Sequence, residues 1–570
     1  MLTLTETIGG STLALPIALA GVGPLAGVGL LIILGLINIF TIIGVSEAVI
    51  RNGTMRYWRG GYWNELVGSY FGGGGSTVFS VGLVILIFIS LIAFYLGVST
   101  TLANATGVRE EIWALGLFLV NLYFIRRKSL HATVAFALIV GIINIALILL
   151  LSALALPHIR LANLLYFNFP FIGGRPLDTS DIKLIFGVVL LAYFGHTSTA
   201  NCARVVLRRE PTGRALVWGN VAAMATAIVL YCIWVIAING ALEPQALINE
   251  TGTVVGPLAD KLGTIVQIVG SLYVVLGMGM VSVHFSLGLF NQMRQWAPTH
   301  FLSTVLDQRS RFWLGMAPII ALFLIIEFML ITNRGTYSGT VGFVGVLKGS
   351  LLGGIFPMLM LAASRRKGEY VPGISLGFLN YTGIIIGVYL LFLASIFLHG
   401  LVIWHDLAAQ LAALAVGVVA LVMPIVFLRG GMFRRRAIVE LRAEQTLGHN
   451  SAFHITANGK RLASDVRLKY SDREQEFKAS DGEIKDFTAL RSATFSLPPA
   501  HAQELKVWVH EITEDGVSEW LPAKVAVSNS RGDTITDLID RERILRLNGD
   551  PYRVDIQFLP SEEEMARMEA

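Results

Sequence analysis

Charge is what this sequence has least of. Only 15% of its 570 residues are Asp, Glu, Lys or Arg, where a soluble chain carries about a quarter. That shortage excludes an ordinary water-soluble protein of this length. Cysteine is nearly missing too. Cys202 and Cys232 both sit in apolar segments, so a disulfide framework is excluded and both read as small packing residues. No Cys/His cluster has the spacing of a zinc site. No P-loop is present, so ATP would not drive the protein directly. The first apolar run lacks a basic leader, and no cleavable signal peptide is expected. No cofactor is expected.

What is there instead is hydrophobic sequence, 54% of the chain, with a mean hydropathy of +0.65. Runs of about 20 apolar residues are long enough to cross a bilayer as helices. Read against their breaks, they give twelve spans near 3–21, 25–50, 77–103, 112–125, 131–156, 183–206, 213–238, 263–290, 312–332, 338–363, 374–400 and 407–428. The chain reads as an all-α polytopic membrane protein followed by a small soluble domain.

Charge is also unevenly placed. Met1 to Val439 holds 27 Lys/Arg and 15 Asp/Glu, whereas Glu440 to Ala570 holds 17 and 24. The basic excess belongs to loops beside the membrane, and nucleic acid is not implied. With the N-terminus placed inside, alternate loops carry 20 Lys/Arg against 6 on the other side. Lys348 falls within span ten and belongs to neither set. This asymmetry places both termini in the cytoplasm of a cell membrane.

Two spans are interrupted. "TETIGGSTLALP", Thr5 to Pro16, puts Gly9-Gly10 ahead of Ser11 and Thr12, a poor helix interior. Pro16 suits the first turn of a new helix. The reading is a half-helix to about Ile8, an unwound stretch Gly9 to Thr12, and a second half-helix from about Leu13, whose N-terminus would face an anion. Irregular backbone at that depth lines a cavity; a Gly-rich packing helix is the alternative. Span six repeats the device five spans later, at Tyr193-Phe194-Gly195-His196-Thr197-Ser198-Thr199. Paired interruptions in corresponding positions point to a transporter's binding site.

Glu6 is an ionisable residue in a membrane segment, a functional candidate by default and a proton carrier, unless it lies at the interface. His196, in the second break, reads as a substrate contact, a proton relay or a structural histidine. His284, with Ser282 and Ser286 two residues to either side, is an ion or proton site or an interhelical hydrogen-bond partner. The loop "MRYWRGGYWNELVGSYFGGGG", Met55 to Gly75, reads as an interfacial aromatic belt or as a gate beneath the substrate path.

"IGGSTLALP" (Ile8 to Pro16), "AYFGHTSTANCARVVLRR" (Ala192 to Arg209) and "SLGLFNQMR" (Ser286 to Arg294) resemble helices one, six and eight of amino acid/polyamine/organocation transporters, most of all the hydroxy/aromatic amino acid permease branch. The resemblance covers roughly residues 1–430. It implies the LeuT-like fold, two inverted five-helix repeats plus two further helices. The glycines of helix one would hold a substrate carboxylate and helix-six carbonyls the amine. Tyr95 resembles an aromatic residue of the family's third helix that could reach the carboxylate, and Phe194 would form a lid. The places where sodium-coupled relatives carry a hydroxyl pair hold Met280 and Val281, so protons are preferred to sodium. The implied function is secondary active transport of neutral or aromatic amino acids by alternating access. A permease for polyamines or organic cations, and an amino acid sensor signalling through its tail, remain alternatives.

The organisation expected is a transporter domain over 1–430, a linker over 431–450 and a soluble β-rich domain over 451–570. Alternating runs such as "DVRLKYS" and "ELKVWVHEI" read as strands, with some helix expected in Asp537 to Leu547. This domain would regulate transport, bind a partner or stabilise the assembly.

Overall fold

The computed structural model describes residues 1–57, 63–127, 130–168, 179–296, 308–374, 377, 381–445, 450–514, 517–539, 543–546 and 550–558. Among the described residues, nine helices are long and apolar enough to cross a membrane, and the chain is an integral membrane protein. The expected spans 3–21, 112–125 and 183–206 are not among the nine. The helix Glu110–Arg127 has two acids at one end and two arginines at the other. The other two are broken.

The first break is tighter than the sequence suggests. Leu2–Thr7 is helical, Ile8 and Gly9 leave the helix, and a 3₁₀ turn already begins at Gly10–Ala14 before the helix Leu15–Ala20. Unwinding is therefore confined to two residues and does not run to Thr12. The Thr12 N–H closes the first turn onto the Gly9 carbonyl at 3.2 Å. In the second broken span, Ile185–Ala192 and His196–Arg209 are helical on either side of residues 193–195. Glycine is required in both breaks for contact. A Cβ on Gly10 would overlap the Phe94 ring, and one on Gly195 would lie 2.8 Å from Thr7 Cγ2.

Within the helix Tyr337–Lys367, residues 344–361 are buried throughout. The helix widens twice into π-turns, Gly345–Gly349 and Leu351–Ile355; such turns often mark functional positions. The helix running from Thr264 widens likewise at Val275–Gly279 before continuing as Met280–Trp296.

The tail is a β-sandwich. Its strands are β1 (Arg436–Glu444), β2 (Ala452–Ala457), β3 (Lys460–Arg461), β4 (Ser464–Tyr470), β5 (Glu474–Ala479), β6 (Asp481–Glu483), β7 (Leu490–Ser496), β8 (Glu504–Ile512), β9 (Ser518–Trp520), β10 (Ala523–Asn529), β11 (Thr534–Ile539), β12 (Arg543–Arg546) and β13 (Pro551–Phe558). One sheet runs β12-β8-β1-β2-β3, with β6 on β2 and β9 on β8; the other runs β11-β10-β13-β7-β4-β5. Both sheets contribute to one apolar core, Val439 and Phe453 from the first meeting Val466 and Phe495 from the second.

Two expectations need correction. Part of the supposed linker 431–450 is β1, central in its sheet, parallel to β8 and antiparallel to β2. The segment expected to be helical contains β11 and β12 instead. In the second place pairing in a sheet overrides the local helical tendency.

The sandwich sits against one end of the helical bundle. Alternate residues of β1, Ala437, Val439 and Leu441, enter the sandwich core. Those between them turn to the bundle. Glu440 accepts a hydrogen bond from Tyr370 Oη at 2.6 Å, and Arg442 donates to Tyr57 Oη at 2.6 Å. Tyr57, Tyr370, Trp508 and Ile512 form a separate buried cluster at the junction. Arg51 donates to the Gly459 carbonyl at 2.7 Å, and Glu369 pairs with Lys506 while accepting the Gly53 N–H. Here burial by itself pushes the Glu440 carboxyl up, but the hydrogen bond from His510 and the Arg442 charge outweigh it and hold the group well below the usual carboxylate range. Burial pushes His510 and His454 down, only partly offset by Glu440.

Candidate functional site

The two breaks meet. Tyr231 Oη donates to the Thr7 carbonyl at 2.7 Å and to the Ala192 carbonyl at 3.0 Å, so one hydroxyl serves both interrupted helices. A break frees carbonyls that must find donors when water is excluded. Here aromatic side chains supply them. Tyr273 Oη donates to Gly9 O at 3.2 Å, Trp234 Nε1 to Thr12 O at 3.0 Å, and Tyr337 Oη to Gly10 O. The amide group of Asn239 donates to Pro16 O at 3.0 Å. The carbonyls of Thr7, Gly9, Gly10 and Thr12 are thus committed to the scaffold. The 3₁₀ turn starting at Gly10 leaves the N–H groups of Gly10 and Ser11 without helical acceptors, and both residues line a cavity.

That cavity, of about 640 Å³, lies between the two breaks and the helices that carry Asn144, His284 and Lys348. Glu6 crosses it. Its carboxylate accepts the Ser198 N–H at 2.7 Å and the Thr197 hydroxyl. Ser198 stands in the first turn of His196–Arg209, where N–H groups lack partners and the helix dipole favours negative charge. An internal carboxylate therefore occupies the anion position of the second broken helix. Behind it, Ser198 Oγ donates to Thr3 Oγ1 at 2.9 Å, Thr3 donates to Asn220 Oδ1 at 2.6 Å, and the Asn220 amide donates to Ser46 at 2.9 Å and Thr199 at 3.1 Å. This polar network fixes the half-helix Leu2–Thr7 against its neighbours.

Of the fourteen residues singled out from the sequence, seven line the cavity: Glu6, Gly9, Gly10, Ser11, Phe194, Thr197 and His284. The other seven are placed elsewhere. Thr12 is buried beside the hydroxyls of Tyr231 and Tyr273. Tyr95 Oη accepts from the Asn121 amide at 2.7 Å, whose oxygen accepts from Ser282 at 3.3 Å. Tyr193 donates to Leu31 O at 3.1 Å. Gly195 serves helix contact. His196 is fully buried, its Nε2 at 2.8 Å from Thr41 Oγ1. Ser282 also donates to Gly279 O at 2.7 Å, and Ser286 is buried without a hydrogen bond among the described residues. His284 Nδ1 lies 3.0 Å from Met280 O. Of the aromatic loop, residues 58–62 lie outside the described residues, but Met55 lines the cavity and Trp63 Nε1 donates to Thr197 O at 3.3 Å.

Sequence reasoning placed Ser198 in the second break without singling it out, and missed the tyrosines that hold the first break and Lys348. A signal existed only for Lys348. It is an ionisable residue inside a span, the same ground on which Glu6 was chosen.

Among the described residues, no group of three or more His, Cys, Asp or Glu side chains is placed to hold a metal ion. No protein-family model matches the sequence, and no curated protein matches it. Solved structures similar to it include a manganese transporter of Eremococcus coleocola in complex with an aromatic bis-isothiourea substituted compound. That likeness has 15% identity, covers 75% of this chain and 95% of that one, and has a TM-score of 0.47. Another is Mhp1, a nucleobase-cation-symport-1 family transporter in a closed conformation with bromovinylhydantoin bound, at 15% identity, 75% and 91% coverage and a TM-score of 0.44.

Proposed function

We propose that this protein is a secondary active transporter of amino acids, neutral or aromatic, that works by alternating access and is driven by protons. The observation that carries the reading is the Glu6 contact with Thr197 and Ser198 across a cavity bounded by both broken helices. A carboxylate placed so ties the two mobile elements together while ionised and releases them when it takes up a proton, which is what coupling requires. The N–H groups of Gly10 and Ser11 are offered to a substrate carboxylate. Phe94, Phe194 and Phe285 line the same cavity and suit an apolar or aromatic side chain. The resemblance of the first and sixth helices to amino acid permeases supports the same substrate class. The Lys/Arg distribution supports a cell-membrane location with both termini in the cytoplasm.

A sensor is the second reading, favoured by the docked sandwich. Its contacts reach residues 51–57 and 368–370, immediately beyond two helices of the bundle.

The test is uptake by the purified protein in proteoliposomes, with labelled amino acids under an imposed inward proton gradient. Accumulation without sodium is expected. Uptake that needs sodium would remove the proton proposal, and binding without uptake would favour the sensor.

A further inference from the structure

Lys348 sits in the first π-turn of the buried helix, 3% exposed, and lines the central cavity. Its ammonium has no hydrogen-bond or ion-pair partner within reach among the described residues. It lies instead over two aromatic faces, with Nζ at 4.7 Å from the centroid of the Phe194 ring and 4.3 Å from that of Phe285. Glu6 acts on it electrostatically but commits both carboxylate oxygens to Thr197 and Ser198.

An ammonium has three donors and no acceptor. Aromatic faces attract its charge but leave those donors uncapped. A buried cation is stable only when paired and hydrogen-bonded, and the described scaffold supplies Lys348 with no such partner. The missing acceptor therefore belongs to whatever occupies the cavity. The same cavity is lined by Gly10 and Ser11, whose N–H groups have no helical acceptor. The Glu6 charge is turned to the second broken helix, and the Lys348 charge faces the space.

We infer that Lys348 is the residue that recognises the acidic group of the solute, so that the cavity takes solutes with a carboxylate and an apolar body and rejects amines that lack one. This inference rests on the transport reading, and it removes polyamines and simple organic cations as cargo. Phe194 and Phe285 hold the ammonium from two sides. They also supply the wall against which the apolar body packs.

The experiment is ligand-induced thermal stabilisation of the purified full chain. Each of the common amino acids is compared with the amine left when its carboxylate is removed. The wild-type protein is expected to bind at least one acid, and to bind the matching amine at least tenfold more weakly. Lys348→Met is expected to lose at least tenfold in affinity for that acid, and Lys348→Arg to keep part of it. An amine that binds as tightly as its acid would overturn the inference and leave transport standing. So would Lys348→Met binding the acid within twofold of wild type. Should Lys348→Met fail to fold, Lys348→Gln takes its place with the same expected loss, and an amine bound by the wild type as tightly as its acid still overturns the inference. Acid binding that depends on Lys348 without uptake in proteoliposomes would uphold the inference and sink the transport reading. Binding of neither set would overturn both.

Discussion

Glu6 accepts the Ser198 N–H at 2.7 Å across 192 residues of chain. With the Thr197 hydroxyl on its other oxygen, the carboxylate completes the first turn of the second broken helix. It functions as an N-cap supplied by another segment.

Replacing Glu6 with Gln keeps the shape and one acceptor but removes the charge and the proton. Accumulation driven by a proton gradient is expected to be lost, while exchange of labelled for unlabelled solute at zero gradient persists. Measuring both in one liposome preparation checks this. Retained gradient-driven accumulation would assign the proton to another group.

Tyr231→Phe removes the one hydroxyl shared by the Thr7 and Ala192 carbonyls. The Thr7 carbonyl keeps the Gly9 N–H at 2.9 Å, so the loss falls on the Ala192 carbonyl, and leaving a buried carbonyl without its donor costs about 1–3 kcal/mol. The ring itself still packs against Tyr193, whose centroid is 5.3 Å away. The expected result is a lower thermal midpoint with the helix content unchanged by circular dichroism.

Lys506→Met strands the buried Glu369 carboxylate, since the two form an ion pair at the junction. Removing one partner of a buried pair costs about 3–5 kcal/mol, here mostly at the expense of docking. Hydrogen exchange in residues 51–57 is expected to accelerate. Adding Glu369→Gln is expected to restore part of the protection. The Gly53 N–H would lose its charged acceptor, so restoration is incomplete.

Docking is also expected to depend on pH. His454 and His510 are pushed down from an ordinary value of 6.5 by burial. The released domain then binds more protons than the docked one near that value, and stability rises with pH. The contribution is present above 6.5 and is lost as pH falls below it. Glu440 is held low once its partners outweigh burial, from an ordinary 4.5; its contribution is present above that value and lost further down. Tryptophan fluorescence at Trp508 and Trp520 followed from about pH 7.5 to 4 should show destabilisation starting near the histidine range. His510→Gln with His454→Gln should flatten that first step.

His196→Gln separates site from scaffold. His196 is bonded to Thr41 and does not line the cavity. Its substitution should cost about 1 kcal/mol of lost hydrogen bonding, read as a lower thermal midpoint, and leave the apparent substrate affinity within about twofold, equivalent to less than one hydrogen bond. A larger loss in affinity would return His196 to the binding site.

The breaks were legible because Gly9-Gly10 with Pro16 and the Tyr193–Thr197 stretch violate helix propensity where a span demands helix. The strands of the tail were legible because period-two alternation survives in "DVRLKYS" and "ELKVWVHEI". What was not legible depends on side-chain direction. Thr12 and Gly9 are three positions apart in sequence, yet only Gly9 opens on the cavity. Tyr273 and Tyr337 look like ordinary membrane aromatics until their hydroxyls are seen on the Gly9 and Gly10 carbonyls. β1 was hidden for another reason. Its period-two signal vanishes because both faces are covered, one by the sandwich core and the other by the bundle, so Ile438 is as buried as Val439.

Glu369 has a wider mechanical consequence. It follows the buried helix Tyr337–Lys367 directly, and its carboxylate holds Gly53, just beyond the helix Pro24–Ile50, together with Lys506 of the sandwich. One turn deeper, Glu47 pairs with both Arg51 and Arg365, at 2.9 Å each. The sandwich therefore works as a splint across two helix ends. Any cycle that rotates one of these helices against the other must carry the splint with it or shed it, and the stiffness of a soluble appendage then sets how far the membrane part can swing.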